Sequence, residues 1–164
     1  HPEYKLKIIG RTPPAYIRDQ DSNQRLISDL GIEKEVILTG QVTPEMMPQL
    51  LKDATALVLA RPDNLQAKYG FPTKLGEYLL TENPVVVTEV GDIPLFLTDN
   101  ESAYIAKPGD VEGICEKLCK IVENPEEAAE VGRKGAGVAR TYFNNITEVR
   151  KMLNYMNIAI KNES

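Results

Sequence analysis

The sequence contains few of the residues that build disulfide frameworks or histidine-based active sites. Its 164 residues include two cysteines, Cys115 and Cys119, and one histidine, His1. Two cysteines four positions apart in a helical pattern do not support a disulfide scaffold or a zinc site, and we expect reduced thiols. A single histidine at the chain start argues against histidine-based catalysis or metal binding. The chemistry must therefore come from other groups.

Basic charge and long apolar runs are also scarce. The formal net charge is -5 and the pI is about 5.0, so the chain lacks the basic field that would hold nucleic acid or a membrane surface. No run approaches the ~18 apolar residues of a membrane span, and we expect no signal peptide. We predict a cytoplasmic protein without a nucleic-acid partner or a transmembrane segment.

Apolar residues make up 42% of the chain, which is enough to build a core. They concentrate in five short runs rich in Val, Ile and Leu with little alternation, as in strands buried on both faces of a parallel sheet. These runs span residues 4–10, 35–40, 55–60, 83–88 and 102–106. Helical patterns lie between them, so we predict an α/β fold with a doubly wound, mostly parallel sheet.

Helix punctuation indicates where the helices begin and end. We predict helices over residues 23–30, 44–53, 72–82, 93–97 and 110–123. Thr43 and Asp110 are expected to cap two of them, and Pro44 to be the first helical residue after Thr43. Residues 61–71 are expected to be irregular.

The last third of the chain shows no strand signal, and we predict two C-terminal helical segments over residues 125–140 and 141–160. The second carries one apolar stripe, which we expect to pack against the sheet. Its members are Phe143, Ile146, Val149, Met152, Leu153 and Met156.

Ligands bind open parallel sheets beyond the carboxyl ends of the strands. Four loops follow predicted strands in this way, after Gly10, Gly40, Ala60 and Thr88. The loop after Ala60 is the longest, and it carries the stretch YGFPTKLGEY, residues 69–78. We therefore predict the functional site there.

This stretch has the features of an anion site at a helix start. Gly70 can adopt backbone angles closed to other residues and lets a ligand approach closely, and Pro72 has the φ of a first helical turn. The amides of Thr73, Lys74 and Leu75 then point out of the helix end, where phosphate is the usual occupant. Lys74 is unfavourable at this positive end unless an anion such as a diphosphate binds beside it.

Glu77 lies three residues after Lys74, on the same helix face. A carboxylate there suits a bidentate hydrogen bond to the vicinal hydroxyls of a ribose. The alternative is an ordinary surface ion pair, which is disfavoured because lysine precedes glutamate and lies at the wrong end of the helix dipole. Arg61, directly after the third strand, either holds the diphosphate loop or the donor, or belongs to a structural turn in RPDN.

The stretch KYGFPTKLGEYLLTENPVVVTEVGDIP, residues 68–94, resembles the donor-site segment of the retaining glycosyltransferases of GT-B architecture, family four. In that family a Gly-x-Pro-x-Lys-x-x-Glu-Tyr pattern precedes a Pro-Val-Val strand and a glycine-containing turn. The resemblance extends over nearly the whole chain. It implies the carboxyl-terminal, Rossmann-like half of such an enzyme, which binds the nucleotide-sugar donor.

The resemblance also implies roles for individual residues. Glu77 matches the glutamate that holds the ribose hydroxyls, and Lys74 would stabilise the leaving diphosphate. The loop and helix start that face the diphosphate and donor sugar match Gly70, Phe71, Pro72, Thr73 and Lys74. The turn whose backbone lines the nucleobase matches Gly40, Gln41 and Val42. No metal or other cofactor is implied, and the anomeric configuration would be retained.

Two departures from the family pattern stand out. Tyr69 occupies the position, eight residues before Glu77, where many relatives have a glutamate that contacts the donor sugar, so sugar recognition is expected to differ. The chain, taken as one domain over residues 1–164, also lacks the family's first strand, the basic residue after it and the amino-terminal acceptor-binding domain. We therefore expect weak donor binding and no transfer by this chain alone.

The leading interpretation is the donor half of a cytoplasmic glycosyltransferase that makes surface polysaccharide or a related glycoconjugate by transferring a sugar to a glycan or glycoconjugate acceptor. Membrane association of the full-length enzyme is left open. One alternative is a noncatalytic phosphate-binding or receiver-like module. A receiver needs an acidic cluster at the strand ends, whereas the first two strands end in Gly-Arg and Gly-Gln. A further alternative is half of a sugar-nucleotide epimerase or phosphorylase.

Overall fold

Strands and helices alternate along the chain, as the sequence predicted. The computed structural model describes residues 1, 3–10 and 22–162, and this part contains five strands and eight helices. The strands are β1 (Leu6–Ile9), β2 (Val36–Gly40), β3 (Leu57–Leu59), β4 (Val85–Thr88) and β5 (Tyr104–Ala106). The helices are α1 (Ser22–Asp29), α2 (Met47–Lys52), α3 (Leu65–Tyr69), α4 (Thr73–Leu80), α5 (Ile93–Phe96), α6 (Val111–Glu123), α7 (Pro125–Tyr142) and α8 (Asn145–Asn162). Each strand lies inside its predicted run.

The chain divides into two compact units, His1–Gln49 and Leu50–Ser164. In the first, β1 and β2 pair in parallel, with Leu6 opposite Val36. In the second, the sheet order is β3-β4-β5 and both pairings are parallel. The α/β class, the parallel strands and the C-terminal helices are thus confirmed.

The core of the second unit surrounds its central strand. All four residues of β4 are buried, because neighbouring strands and packed helices leave no face of it in water. Val86, Tyr104 and Ile121 belong to one apolar cluster with two residues of α7, Ala128 and Val131. The carboxyl end of β4 is therefore held by a buried apolar core.

Helix α7 approaches its neighbours through glycines. A Cβ atom on Gly132 would lie 2.1 Å from the carbonyl oxygen of Glu82, and one on Gly135 would lie 2.4 Å from that of Ser102. Both obstacles are backbone atoms, so neither can rotate aside. The sequence pattern did not distinguish these glycines from the open Gly137 of the same helix.

Some predicted boundaries are wrong for identifiable reasons. Residues 44–46 form a turn and α2 begins only at Met47, so Pro44 is not the first helical residue. The stretch predicted to be irregular contains α3, whose N-cap is Asn64: its Oδ1 accepts a hydrogen bond from the amide of Ala67 at 2.8 Å. The predicted cap at Asp110 is confirmed by a bond from the amide of Gly113 at 2.8 Å.

The apolar stripe of the last helix does not pack as predicted. Phe143 is the C-cap of α7 rather than part of α8, and it joins an aromatic cluster. The remaining members are exposed: Ile146, Val149, Met152, Leu153 and Met156. A helical period shows that one face is apolar, but it does not show what covers that face. No helix in the described residues is long and apolar enough to cross a membrane.

Asp99 accepts a hydrogen bond from the edge strand β5 of the second unit. Its Oδ1 accepts a hydrogen bond from the amide of Ile105 on β5 at 2.7 Å, and its Oδ2 accepts one from Lys117 Nζ at 2.6 Å. Partial burial raises the pKa of Asp99, but these hydrogen bonds outweigh it, so the pKa lies below its ordinary value of 3.8. The carboxylate thus protects an edge amide that pairs with no other strand of this three-stranded sheet in the described residues.

We expect Asp99 to stabilise the fold in a pH-dependent way. Because its folded pKa is lower than its unfolded pKa, the stabilisation is present above about pH 4 and is lost as the pH falls through the folded value. The free energy of unfolding in urea, measured from pH 7 to pH 3, should show Asp99→Asn less stable at neutral pH and converging on the wild type in acid. A difference that stays constant with pH would assign the effect to packing instead.

Candidate functional site

The N-terminus of α4 presents backbone donors and a lysine to solvent. Thr73 and Lys74 are exposed, and Pro72 occupies the N-cap position with no side-chain cap. Pro72 is therefore not the first helical residue, although its φ of -76° suits the entry. The amide of Leu75, predicted to be free, donates to the carbonyl oxygen of Pro72 at 3.0 Å. Within the described residues, the amides of Thr73 and Lys74 remain as the unbonded donors at this helix start.

Lys74 and Glu77 share the exposed face of α4. The helix is anchored by its opposite side, since Leu75 and Leu79 are buried. In the part of the chain that the structure describes, neither Lys74 nor Glu77 forms an ion pair, so the alternative of a surface pair between them is not observed. Burial raises the pKa of the neighbouring Tyr78, and the charge of Glu77 raises it further. The side chains of Lys74 and Glu77 are thus accessible to a ligand.

Gly70 is required for a different reason from the one predicted. Its φ of -112° is open to any residue, so no special backbone angle is needed. A Cβ atom there would instead lie 2.6 Å from the carbonyl oxygen of Gln66. The close contact is with the last turn of α3, which only a glycine permits at this distance.

Phe71 is held by an aromatic cluster that the sequence did not reveal. Its ring centroid lies 5.7 Å from that of Phe96 and 5.1 Å from that of Phe143. Phe96 also contacts Tyr142 at 5.6 Å. Such edge and tilted contacts between rings stabilise beyond simple burial. They fasten the loop before α4 to α5 and to the end of α7.

Arg61 lies against the same loop. Its Nη1 donates to the carbonyl oxygen of Gly70 at 2.6 Å and reaches that of Ala67 at 3.5 Å. Its Nη2 donates to the carbonyl oxygen of Gln66 at 3.2 Å. Two of the predicted alternatives thus have contacts. Arg61 holds the loop, and RPDN also forms a turn in which the Asn64 amide donates to the Pro62 carbonyl oxygen at 3.1 Å. Direct contact with a donor stays a prediction.

Thr88 is the partner of Arg61 that sequence reasoning missed. Its Oγ1 accepts a hydrogen bond from the Arg61 amide at 2.8 Å and donates to the Arg61 carbonyl oxygen at 2.9 Å. The available signal was a lone hydroxyl at the end of the otherwise apolar β4, since a buried hydroxyl needs partners.

The other predicted site residues are placed as follows. Tyr69 ends α3 and is 81% exposed, so its ring is accessible. Gly40 ends β2 in the first unit with a φ of +65°, which favours glycine. Gln41 and Val42 follow it, exposed and half-buried respectively. The nucleobase role of these three residues stays a prediction.

Parallel strands connected by helices define a Rossmann-like domain, in which ligands bind beyond the carboxyl ends of the strands. Residues 1–138 match the family described as Glycosyl transferases group 1, and the chain belongs to this family. The fold is the Rossmann-like half of GT-B glycosyltransferases.

Relatives and solved structures agree with this assignment. The chain is 27% identical over 134 residues to an MMP alpha-(1->4)-mannosyltransferase of Mycolicibacterium hassiacum, covering 81% of this chain and 30% of that protein. It superposes on HepE of Anabaena, solved in complex with UDP-glucose, with a TM-score of 0.79 and 18% identity, covering 96% of this chain and 42% of HepE. It also superposes on a C-terminal domain of the group 1 protein LpcC from Francisella tularensis, with a TM-score of 0.66, 16% identity and 87% of each chain covered. The chain therefore spans less than half the length of these first two proteins.

Proposed function

We propose that this chain is the donor-binding half of a retaining glycosyltransferase, which binds a nucleoside-diphosphate sugar for transfer to a glycan or glycoconjugate acceptor. The chain spans 30% of its mannosyltransferase relative and 42% of HepE, while it matches an isolated C-terminal domain over 87% of both chains. The acceptor would be bound by an amino-terminal domain of the same full-length, cytoplasmic enzyme, and this chain alone would not transfer sugar.

The observation that carries the proposal is the exposed start of α4. The amides of Thr73 and Lys74 have no hydrogen-bond acceptor among the described residues, and the exposed Lys74 side chain at the same helix start forms no ion pair with them. A diphosphate is the anion that satisfies all three donors, since phosphate oxygens accept several charge-assisted hydrogen bonds. Glu77, one turn further along the same face, is placed to accept hydrogen bonds from the ribose hydroxyls.

The proposed chemistry is stabilisation of a departing diphosphate. The acceptor's hydroxyl oxygen would form a bond to the anomeric carbon of the sugar as the bond from that carbon to the phosphate oxygen breaks. The electron pair of the broken bond and the negative charge remain on the diphosphate, and the acceptor's proton passes to a diphosphate oxygen or to solvent. The two amides are held in place by the helix before the reaction, which is the condition for electrostatic catalysis, and Lys74 would add the charge of its exposed ammonium from the same helix turn. No general base from this half is needed, and we expect no metal requirement.

Glu77→Ala tests the ribose contact separately from the diphosphate contact. By calorimetry, we expect the wild-type chain to bind UDP or GDP weakly and the variant to bind the same nucleotide about tenfold more weakly, because hydrogen bonds to a charged group are lost. Inorganic pyrophosphate, which has no ribose, should bind both proteins equally. Glu116→Ala removes an exposed carboxylate of α6 and should change neither affinity. Unchanged nucleotide affinity in both Glu77→Ala and Lys74→Ala would remove this site from consideration.

A further inference from the structure

The guanidinium of Arg61 contacts the backbone of residues 66–70, at the end of α3 and the start of the loop that leads into α4. Its shortest hydrogen bond, 2.6 Å, goes to the carbonyl oxygen of Gly70, two residues before the N-cap of α4 at Pro72. A second nitrogen donates to the carbonyl oxygen of Gln66. Charge-assisted bonds of this length are among the stronger contacts a side chain makes. The arginine thus joins the end of α3 to the start of the loop that leads into α4.

We propose that Arg61 is a positioning residue of the donor site: its guanidinium holds the Gly70 carbonyl and so sets where Thr73 and Lys74 present their donors. This inference rests on the proposed function of α4, and it makes that site depend on a residue outside the donor stretch. Arg61 acts through the loop, not by touching the leaving group.

The base of the Arg61 side chain is itself fixed to the sheet. The Thr88 hydroxyl bonds both the amide and the carbonyl oxygen of Arg61, at 2.8 and 2.9 Å. Thr88 is 1% exposed and ends β4, the central strand of its sheet. Its two bonds continue the contact between β3 and β4 beyond the last strand pair, Leu59 and Val87. The backbone from which the Arg61 side chain extends is therefore held in place by the sheet.

Helix α3 needs such support because it has only five residues. Isolated helices of this length are unstable in water, since nucleation is unfavourable. Asn64 caps its N-terminus, and the cation of Arg61 lies at its C-terminal carbonyls, where a positive charge is favourable. Residues 61–64 thus hold both ends of α3 and the first residue after it.

Two glycines show that the backbone is closely packed around the end of α3. A Cβ atom on Gly70 would meet the carbonyl oxygen of Gln66 at 2.6 Å. One on Gly91, in the turn after β4, would lie 2.9 Å from the carbonyl oxygen of Ala67 and 3.0 Å from that of Lys68. The end of α3 is therefore closely packed. Arg61 adds hydrogen bonds to the carbonyl oxygens of Gln66 and Gly70 in this region.

Spectra of the ligand-free chain test the positioning role without relying on donor binding. In ¹H–¹⁵N NMR spectra, we expect Arg61→Ala to shift the amide resonances of Gly70, Phe71 and Lys74, while those of α6 stay in place. Arg61→Lys keeps the charge, but a single ammonium cannot bond Gly70 and Gln66 through separate nitrogens, so smaller shifts are expected. If Arg61→Ala does not fold, the loop amide shifts in Arg61→Lys test the inference instead. Unmoved loop resonances in a folded variant would overturn the inference.

Binding then tests whether position determines affinity. We expect Arg61→Ala to weaken UDP or GDP binding about tenfold, equivalent to ~1.4 kcal/mol. Added guanidinium chloride at a low, nondenaturing concentration should restore part of the affinity and return the loop resonances toward wild type, whereas sodium chloride at equal ionic strength should not. A tenfold loss with unmoved loop resonances would mean that Arg61 contacts the donor directly, and unchanged affinity would also contradict the inference. A wild-type chain that binds no nucleotide would instead contradict the proposed function, while the ligand-free spectra would still report on Arg61.

Discussion

Replacing Lys74 with alanine is expected to lower kcat/KM for sugar transfer by the full-length enzyme about 10²- to 10³-fold, or ~2.7–4 kcal/mol, as when one donor to a developing oxyanion is removed. The ammonium has no ion pair among the described residues, so its loss should leave no unpaired partner in the protein. Because negative charge on the diphosphate grows as the glycosidic bond breaks, kcat should fall more than KM rises. Steady-state kinetics with varied donor measures both.

The control for this variant is another exposed lysine. Lys134 lies on α7, is exposed and lies outside residues 69–78, which carry the proposed donor site. Lys134→Ala changes the net charge equally, so any effect of charge on long-range attraction of the donor would appear in both variants. A kcat for Lys74→Ala within about twofold of the Lys134→Ala value would contradict the proposed role, since a removed transition-state contact must appear in kcat.

Gly132→Ala is expected to destabilise the second unit by roughly 3 kcal/mol, at the upper end of the usual cost of inserting atoms into a packed core. The added methyl would lie 2.1 Å from the carbonyl oxygen of Glu82 and 2.8 Å from the carbonyl carbon of Asn83. These backbone atoms connect α4 to β4, so α7 must move away from both. For a chain of this size, a loss of 3 kcal/mol lowers the melting temperature by about 6–12 °C. Differential scanning calorimetry measures the change.

Gly137→Ala is the matched control in the same helix. A Cβ atom at Gly137 would meet nothing within 4 Å, and the residue is exposed. Alanine there should stabilise the protein by about 0.5–1 kcal/mol, because glycine is a poor helix former. If Gly132→Ala were as stable as Gly137→Ala, the close approach of α7 to the α4–β4 connection would not exist in solution.

The parts of the fold set by local pattern were predictable from the sequence. Apolar runs located the five strands of the described residues, and the Asp110 cap located the start of α6, because burial and capping leave signals within a few residues. The start of α4 was likewise predictable, because Gly70, Pro72 and Lys74 lie close together in the sequence and a lysine is unfavourable at the positive end of a helix. These features depend on spacing along the chain.

Features that depend on contacts between distant segments were not predictable. Gly132 and Gly137 look alike in the sequence, and only the position of the Glu82 carbonyl distinguishes them. Thr88 and Arg61 are joined across 27 residues, and the stripe on α8 gives no sign of being exposed. A single sequence records which residues prefer burial, but the partner of each is decided by tertiary packing.

The most direct test of the donor site is a UDP titration of the ¹⁵N-labelled wild-type chain, followed residue by residue by NMR, with GDP as the second nucleotide. We predict saturable shifts that are largest at the amides of Thr73 and Lys74, extend to Glu77, and leave α6 unchanged. The same amides should respond to inorganic pyrophosphate, with a smaller response at Glu77 because no ribose is present. Nucleotide binding that shifts other residues and leaves the start of α4 unmoved, or no binding of either nucleotide at millimolar concentration, would contradict the account.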